Sequence, residues 1–230
     1  MRGALLLIGL MAAGCGGSDT AKPAAALSAA LQPAPGAVDV RFTPGLQTFV
    51  IVPAESKASY VADEEFFAGA LKRLGINAGK RKVVGSTQAI DGQFQLDPAQ
   101  PAVRLGTNSF TVKMNTFTTD QPLRDKYLRE DGPGFDSFPQ AVFTATAIQG
   151  EGFEFKLTGN LTIREVSQPA TFDVKAQLAG GTLTGVATTR LKMSDFGIWP
   201  PEFGNILTVA DDFGIEVRFT ARPPDPRGQP

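Results

Sequence analysis

The chain has 230 residues, with 22 Lys plus Arg against 23 Asp plus Glu, no histidine and one cysteine. A formal charge of −1 leaves no excess of cations to neutralise a polyanion, so nucleic acid is not an expected partner. The missing histidine removes the commonest general base and metal ligand, which sets aside serine-hydrolase, zinc and Cys–His chemistries; 17 Phe against 2 Tyr and 1 Trp leave an apolar, chemically quiet composition.

Arg2 and the apolar run 5–13 read as an export leader, too short for the about 20 apolar residues that span a bilayer. The run closes on Ala12-Ala13-Gly14-Cys15, which is similar to a bacterial lipobox, with Ala12 where Leu is favoured. That likeness implies a lipoprotein signal peptide over residues 1–14 and acylation of Cys15, which would hold the protein on a membrane; an ordinary leader with an incidental cysteine is the alternative. Gly16 in place of Asp points, by the same likeness, to the periplasmic face of the outer membrane. Residues 15–37, rich in Ala, Pro and Gly, read as a flexible tether, and residues 38–222 as one folded domain without disulfides.

Within the domain, period-two alternation predicts strands over 48–53 and 57–62, then over 82–88, 90–96, 103–114 and 141–148. Two segments interrupt it. Residues 63–74 carry acids first, Lys72-Arg73 last and Gly75 beyond, which predicts a short helix; residues 120–129 do the same, with Asp120 as N-cap and Pro122 in the first turn. Alternation is strongest downstream: Phe153, Phe155, Leu157, Gly159, Leu161 and Ile163 share one face, then Ala170, Phe172, Val174, Ala176 and Leu178. After the Gly180-Gly181 turn come Leu183, Ala187, Leu191 and Met193, and near the end Phe213, Ile215, Val217 and Phe219. Residues 223–230 read as a frayed tail. Strands wet on one side and joined by short turns predict an all-β fold, an antiparallel up-and-down barrel of about eight strands with one or two short helices; a two-sheet sandwich competes.

No catalytic or metal-binding constellation stands out, and no cofactor is expected. Asp195, Glu202 and Asp211-Asp212 read as solvated turn acids, and Arg124-Asp125 with Arg129 as a corner ion pair with an anion site as the alternative. The inward face mixes Phe with small residues, such as Phe143 beside Ala141, Ala145 and Ala147. That mixture suits an apolar cavity and a filled core equally well.

Three motifs carry a resemblance. Arg124-Asp125-Lys126-Tyr127-Leu128-Arg129 followed by the stretch from Phe138 and Pro139 to Phe143 is the first; the run 159–169 (GNLTIREVSQP) and the run 192–198 (KMSDFGI) are the others. In order and spacing they are similar to the YceI-like, polyisoprenoid-binding family, from about residue 48 to 221. Asn160 and Glu165 depart from its second motif, and the segment 56–60 lacks a histidine that many members carry in the first hairpin. The resemblance implies a lipocalin-like barrel, usually exported, that holds an isoprenoid or other long-chain amphiphilic lipid without changing it. The expected lining is Phe143, Phe155, Phe172, Leu183, Met193, Phe213, Ile215 and Phe219, with Tyr60, Phe67 and Phe110 nearer a mouth and Arg124 as candidate for the head group. The competing function is a structural or interaction module of the envelope with a filled barrel; an enzyme acting on bound lipid is a third. Oligomeric state leaves no mark in the sequence.

Overall fold

The alternating segments form the strands of a computed structural model that describes residues 45–67, 78–102, 104–204 and 206–225. The expected leader, Cys15 and tether lie outside the described residues, as does most of the tail. The strands are β1 (Gln47–Ile51), β2 (Lys57–Phe66), β3 (Gly79–Thr87), β4 (Ile90–Leu96), β5 (Ser109–Lys113), β6 (Gln140–Glu151), β7 (Glu154–Ile163), β8 (Val166–Ala179), β9 (Thr182–Lys192), β10 (Glu202–Phe203) and β11 (Leu207–Arg222).

Antiparallel pairings run β1–β4–β5–β6–β7–β8–β9–β11 and close through Val50↔Arg222 and Ile51↔Ala221, a barrel of eight strands. The sandwich alternative is thereby excluded. β2 continues β1 past a kink at Pro53–Glu55 and pairs with β3 as β1 pairs with β4, so the two segments form one long bent hairpin. At the kink the ladder to β11 is patched by a side chain: the Ser56 hydroxyl accepts from the Thr220 N–H at 3.0 Å. Closure at β1 and β11 completes the ring at that level, while β3 pairs in a ladder only with β2, and the period-two pattern sends one face of each strand inward.

One end of the barrel is packed solid. Phe49, Leu96, Phe155, Leu183 and Ala221 are all buried there. A Leu or Phe so enclosed stabilises the fold by about 1.5–3 kcal/mol. Between β4 and β5, buried Asn108 pins the loop: it accepts from the Gln95 N–H at 3.2 Å and donates to the carbonyls of Gln95 and Gly106. This loop takes up much of the strand expected over 103–114, which is Ser109–Lys113 only.

The other end carries the non-strand elements. Among the described residues the α-helix is α1 (Pro122–Lys126), which continues into a wider π turn over Tyr127–Asp131, close to the helix expected at 120–129. The helix expected at 63–74 is a different matter. Asp63, Glu64, Glu65 and Phe66 are the end of β2, and residues 68–77 lie outside the described residues. The acids that resemble a helix start face Lys82, Arg81 and Lys80 across the hairpin, with Lys82–Asp63 at 3.1 Å and Lys80–Glu65 at 3.9 Å. Arg81 lies over the Phe66 ring at 4.8 Å. Cross-strand charge pairing overrode the local helix signal.

Two bulges alter faces. The β6–β7 register shifts between Ala145 and Ala147, so Ala147 is exposed rather than inward as expected. The β11–β2 register shifts between Val209 and Phe213, which frees Asp211 to accept from the Ser194 N–H at 2.8 Å and hydroxyl at 2.7 Å. The acids expected to be turn residues include this one, and its work is to hold the Ser194–Phe196 turn.

Candidate functional site

Small inward residues opposite large ones leave room in the half of the barrel nearer α1. A partly open cavity of about 170 Å³ lies there, and apart from Ser59 and the Tyr60 hydroxyl its lining is apolar. Strands supply most of the wall, and Leu128, Pro133, Phe135 and Ile198, from the π turn and the loops, line it at the α1 end. That end is the mouth.

Of the residues expected to line a pocket, Phe143, Phe172, Met193, Phe213, Ile215 and Phe219 border this cavity, as do Tyr60 and Phe110. Phe143 and Phe172 meet edge to face at 4.9 Å between centroids. Phe155 and Leu183 do not border it: they share the inward face but sit deeper, in the packed end. Phe67 lies outside the cavity, partly exposed where β2 ends. Ile90, Phe94, Phe117, Phe135 and Leu128 line the cavity and were not anticipated. The alternation of Ile90, Phe94 and Leu96 along β4 contained the first two; Phe117 and Phe135 sit in irregular segments with no period to reveal them.

Several rings rest on inward glycines. Tyr60 on β2 pairs with Gly85 on β3, and a Cβ on Gly85 would meet the Tyr60 ring at 2.1 Å. Phe219 pairs with Gly185 in the same manner, but there a Cβ would also strike the Lys175 carbonyl oxygen at 2.5 Å. These glycines therefore serve as floors for aromatic rings.

Arg124 is not a free cation. Its Nε and Nη2 donate to the two carboxylate oxygens of Glu64 at 3.0 Å each, and Nη1 donates to Asp120 at 2.6 Å and to the Thr119 hydroxyl at 3.3 Å. Glu64 is almost fully buried, so this fork ties α1 to β2 across the mouth. Burial works against the guanidinium charge, but the bonds and charges of Glu64 and then Asp120 outweigh it and hold the pKa above its ordinary value. Asp125 in turn accepts from the Thr119 N–H and hydroxyl at 2.8 and 2.7 Å. Arg124, expected as the head-group candidate, has its guanidinium engaged by Glu64 and Asp120 in a structural tie.

Among the described residues no group of acids, cysteines or histidines is arranged to hold a metal, and no helix is long and apolar enough to cross a membrane. The mouth end also exposes large apolar side chains: Leu123 on α1, Phe203 on β10 and Trp199, the neighbour of cavity-lining Ile198.

Comparison with known proteins agrees with the motifs. The sequence profile of the YceI-like domain matches residues 49–221. Protein YceI of Salmonella arizonae is 31% identical over 154 residues, which is 64% of this chain and 78% of that protein. Among solved structures, Burkholderia cenocepacia BcnA superposes with a TM-score of 0.58 at 24% identity, covering 74% of this chain and 98% of that one. A polyisoprenoid binding domain from Saccharophagus degradans, implicated in plant cell wall breakdown, superposes with a TM-score of 0.52 at 11% identity, covering 78% and 99%. At such identities the two structures speak to the fold.

Proposed function

The chain belongs to the YceI-like domain family, and on that premise we propose that it binds an isoprenoid or similar amphiphilic lipid in the barrel cavity without chemically changing it. The observation that carries this reading is the cavity itself, apolar, half-open and enclosed by a closed sheet. Each methylene that leaves water for such a wall contributes about 0.8 kcal/mol, so a chain needs few polar contacts to bind. The Saccharophagus domain, described as polyisoprenoid binding, supports the same class of ligand. Cys15, acylated after removal of residues 1–14, would hold the domain at the periplasmic face of a bacterial membrane, where such lipids reside.

A volume of about 170 Å³ is close to the about 150 Å³ apolar cavity that takes a benzene-sized guest, so the cavity takes a segment of chain rather than a whole polyprenyl tail. That modest size is the observation favouring the second reading, a filled barrel acting as a structural module. Organic extraction of the purified protein followed by mass spectrometry separates the two. A co-purifying lipid is expected. Polyprenol added at about a hundredfold over its Kd is expected to add about 2.7 kcal/mol of stability, or roughly 5–10 °C in Tm for a domain of this size. No extracted lipid together with an unmoved Tm would refute the binding reading. Cys15→Ser is expected to release the protein from membranes; unchanged fractionation would refute the anchor.

A further inference from the structure

Tyr60 sits on β2 between the packed half of the barrel and the mouth, its ring laid on Gly85 and tilted against Phe117 at 5.5 Å between centroids. The side chain lines the cavity, yet its hydroxyl is buried and has no hydrogen-bond partner among the described residues. Buried hydroxyls are normally bonded, and one left without a partner costs stability that an acceptor entering the cavity would recover. Burial raises the pKa of this hydroxyl more than Arg124 lowers it, with Asp125, Glu64 and Asp120 adding to the rise. The proton therefore stays on the oxygen at ordinary pH, and the group is a standing donor.

The charges around it are already balanced toward the negative. Arg124 donates to Glu64, Asp120 and Thr119, and Asp125 brings a further carboxylate to bear on the same hydroxyl. A phosphate arriving at this mouth would face carboxylates and find the guanidinium engaged, so its desolvation would go uncompensated.

We propose that the mouth selects an uncharged amphiphile, an apolar chain ending in a hydroxyl or carbonyl whose oxygen accepts a hydrogen bond from the Tyr60 hydroxyl, against the phosphate or diphosphate of the same chain. This rests on the reading of the barrel as a lipid binder and adds to it the head group and the residue that recognises it.

The test uses the full chain carrying Cys15→Ser and three probes that share one tail: farnesol, farnesyl diphosphate and the parent hydrocarbon, each displacing a fluorescent lipid. Farnesol is expected to bind more tightly than the diphosphate. Tyr60→Phe is expected to weaken farnesol about tenfold while leaving the hydrocarbon unchanged. The same variant is expected to melt no lower than the parent, because the hydroxyl it deletes has no partner among the described residues. Glu64→Gln, which keeps Tyr60 but removes one carboxylate from Arg124, is expected to shift preference toward the diphosphate, so the idea stays testable even if Tyr60→Phe folds poorly. Tighter binding of the diphosphate by the parent chain, or farnesol affinity indifferent to Tyr60→Phe, overturns the proposal. If none of the three probes binds, the lipid-binding reading itself fails and takes this one with it.

Discussion

The two ends of the barrel are built from the same alternating strands and come out differently. At the packed end, a tight glycine turn lets β8 and β9 keep their alternation to the last residues, Leu183 and Phe155 are both buried, and Asn108 satisfies the loop between β4 and β5. At the mouth, the inward positions of β2 pass from Ala58 to Tyr60, Ala62 and Glu64, and irregular segments carrying Leu128 and Phe135 supply the wall that strands do not. The packed end answers to volume alone, whereas the mouth combines apolar wall with charge balance. On the proposed lipid-binding reading, stability and recognition fall to opposite ends of one sheet.

The largest way to break that division is Leu183→Ala, at 1% exposure among the most enclosed side chains. It is expected to cost about 3 kcal/mol, lowering Tm by roughly 6–12 °C, with lipid affinity unchanged in the fraction that remains folded. A loss under about 1 kcal/mol, or a large change in affinity, would mean that the packed end is not the separate reservoir of stability described.

A matched pair of substitutions sharpens the comparison. Gly185→Ala drives a Cβ into the Lys175 carbonyl, a backbone atom that cannot step aside, and is expected to cost about 1–3 kcal/mol by urea melts. Gly85→Ala meets the Tyr60 side chain first, at 2.1 Å, and that ring can swing into the cavity. It is expected to cost less stability than Gly185→Ala and to weaken ligand binding more. The reverse order would place the rigid floor at the mouth.

Much of this was legible from residue spacing, and the failures have local causes. The inward faces of β7, β8 and β9 follow from Phe155 to Ile163, Ala170 to Val174 and Leu183 to Met193, because one face is buried throughout and the period is two. The same period says nothing of depth along the barrel axis, so Phe155 and Leu183 were grouped with Phe172 and Phe213. Asp63-Glu64-Glu65 looked like a helix start because the matching bases at 80–82 lie across a hairpin, out of reach of any local rule. Arg124 offered its motif but not its partners, since Glu64 is 60 residues away. Nor can any pattern reveal that the Tyr60 hydroxyl is without a partner among the described residues.

Smaller effects probe the mouth's turns. Arg164 and Glu165, between β7 and β8, both have positive φ, 50° and 65°, a region L residues enter at a cost of about 1–2 kcal/mol. Arg164 is compensated by donating to the Gly197 carbonyl at 2.6 Å. Glu165→Gly is expected to stabilise by about 0.5–1 kcal/mol once the entropy of the added glycine is subtracted. A destabilised variant in thermal melts would show that Glu165 makes a contribution the strain conceals.

The smallest effect is on pH. The Asp211 carboxyl is held below its ordinary pKa by the Ser194 hydroxyl and then the Ser194 N–H, and the Glu55 carboxyl by its hydrogen bonds from Arg222. Each binds a proton more weakly in the folded chain than in the unfolded one. Their contribution is therefore present above the ordinary carboxylate range and is lost as the pH falls below about 4. Glu55 is exposed and Asp211 only partly buried, so both are screened by salt and the change is slight. Urea melts at low and neutral pH are expected to show a shallower acid loss in Asp211→Asn and in Glu55→Gln; slopes identical to the parent would remove these pairs from consideration.

Trp199 is the chain's one indole, 81% exposed and one residue beyond Ile198 in the cavity wall. Selectively excited tryptophan emission therefore comes from a single, water-facing chromophore at the mouth, while the packed end, built of phenylalanine and aliphatic side chains, stays dark. Its native band is expected near the position of a hydrated indole. A blue shift or a change in quenching by iodide then reports what reaches the mouth, with no label and no signal from the rest of the barrel to subtract.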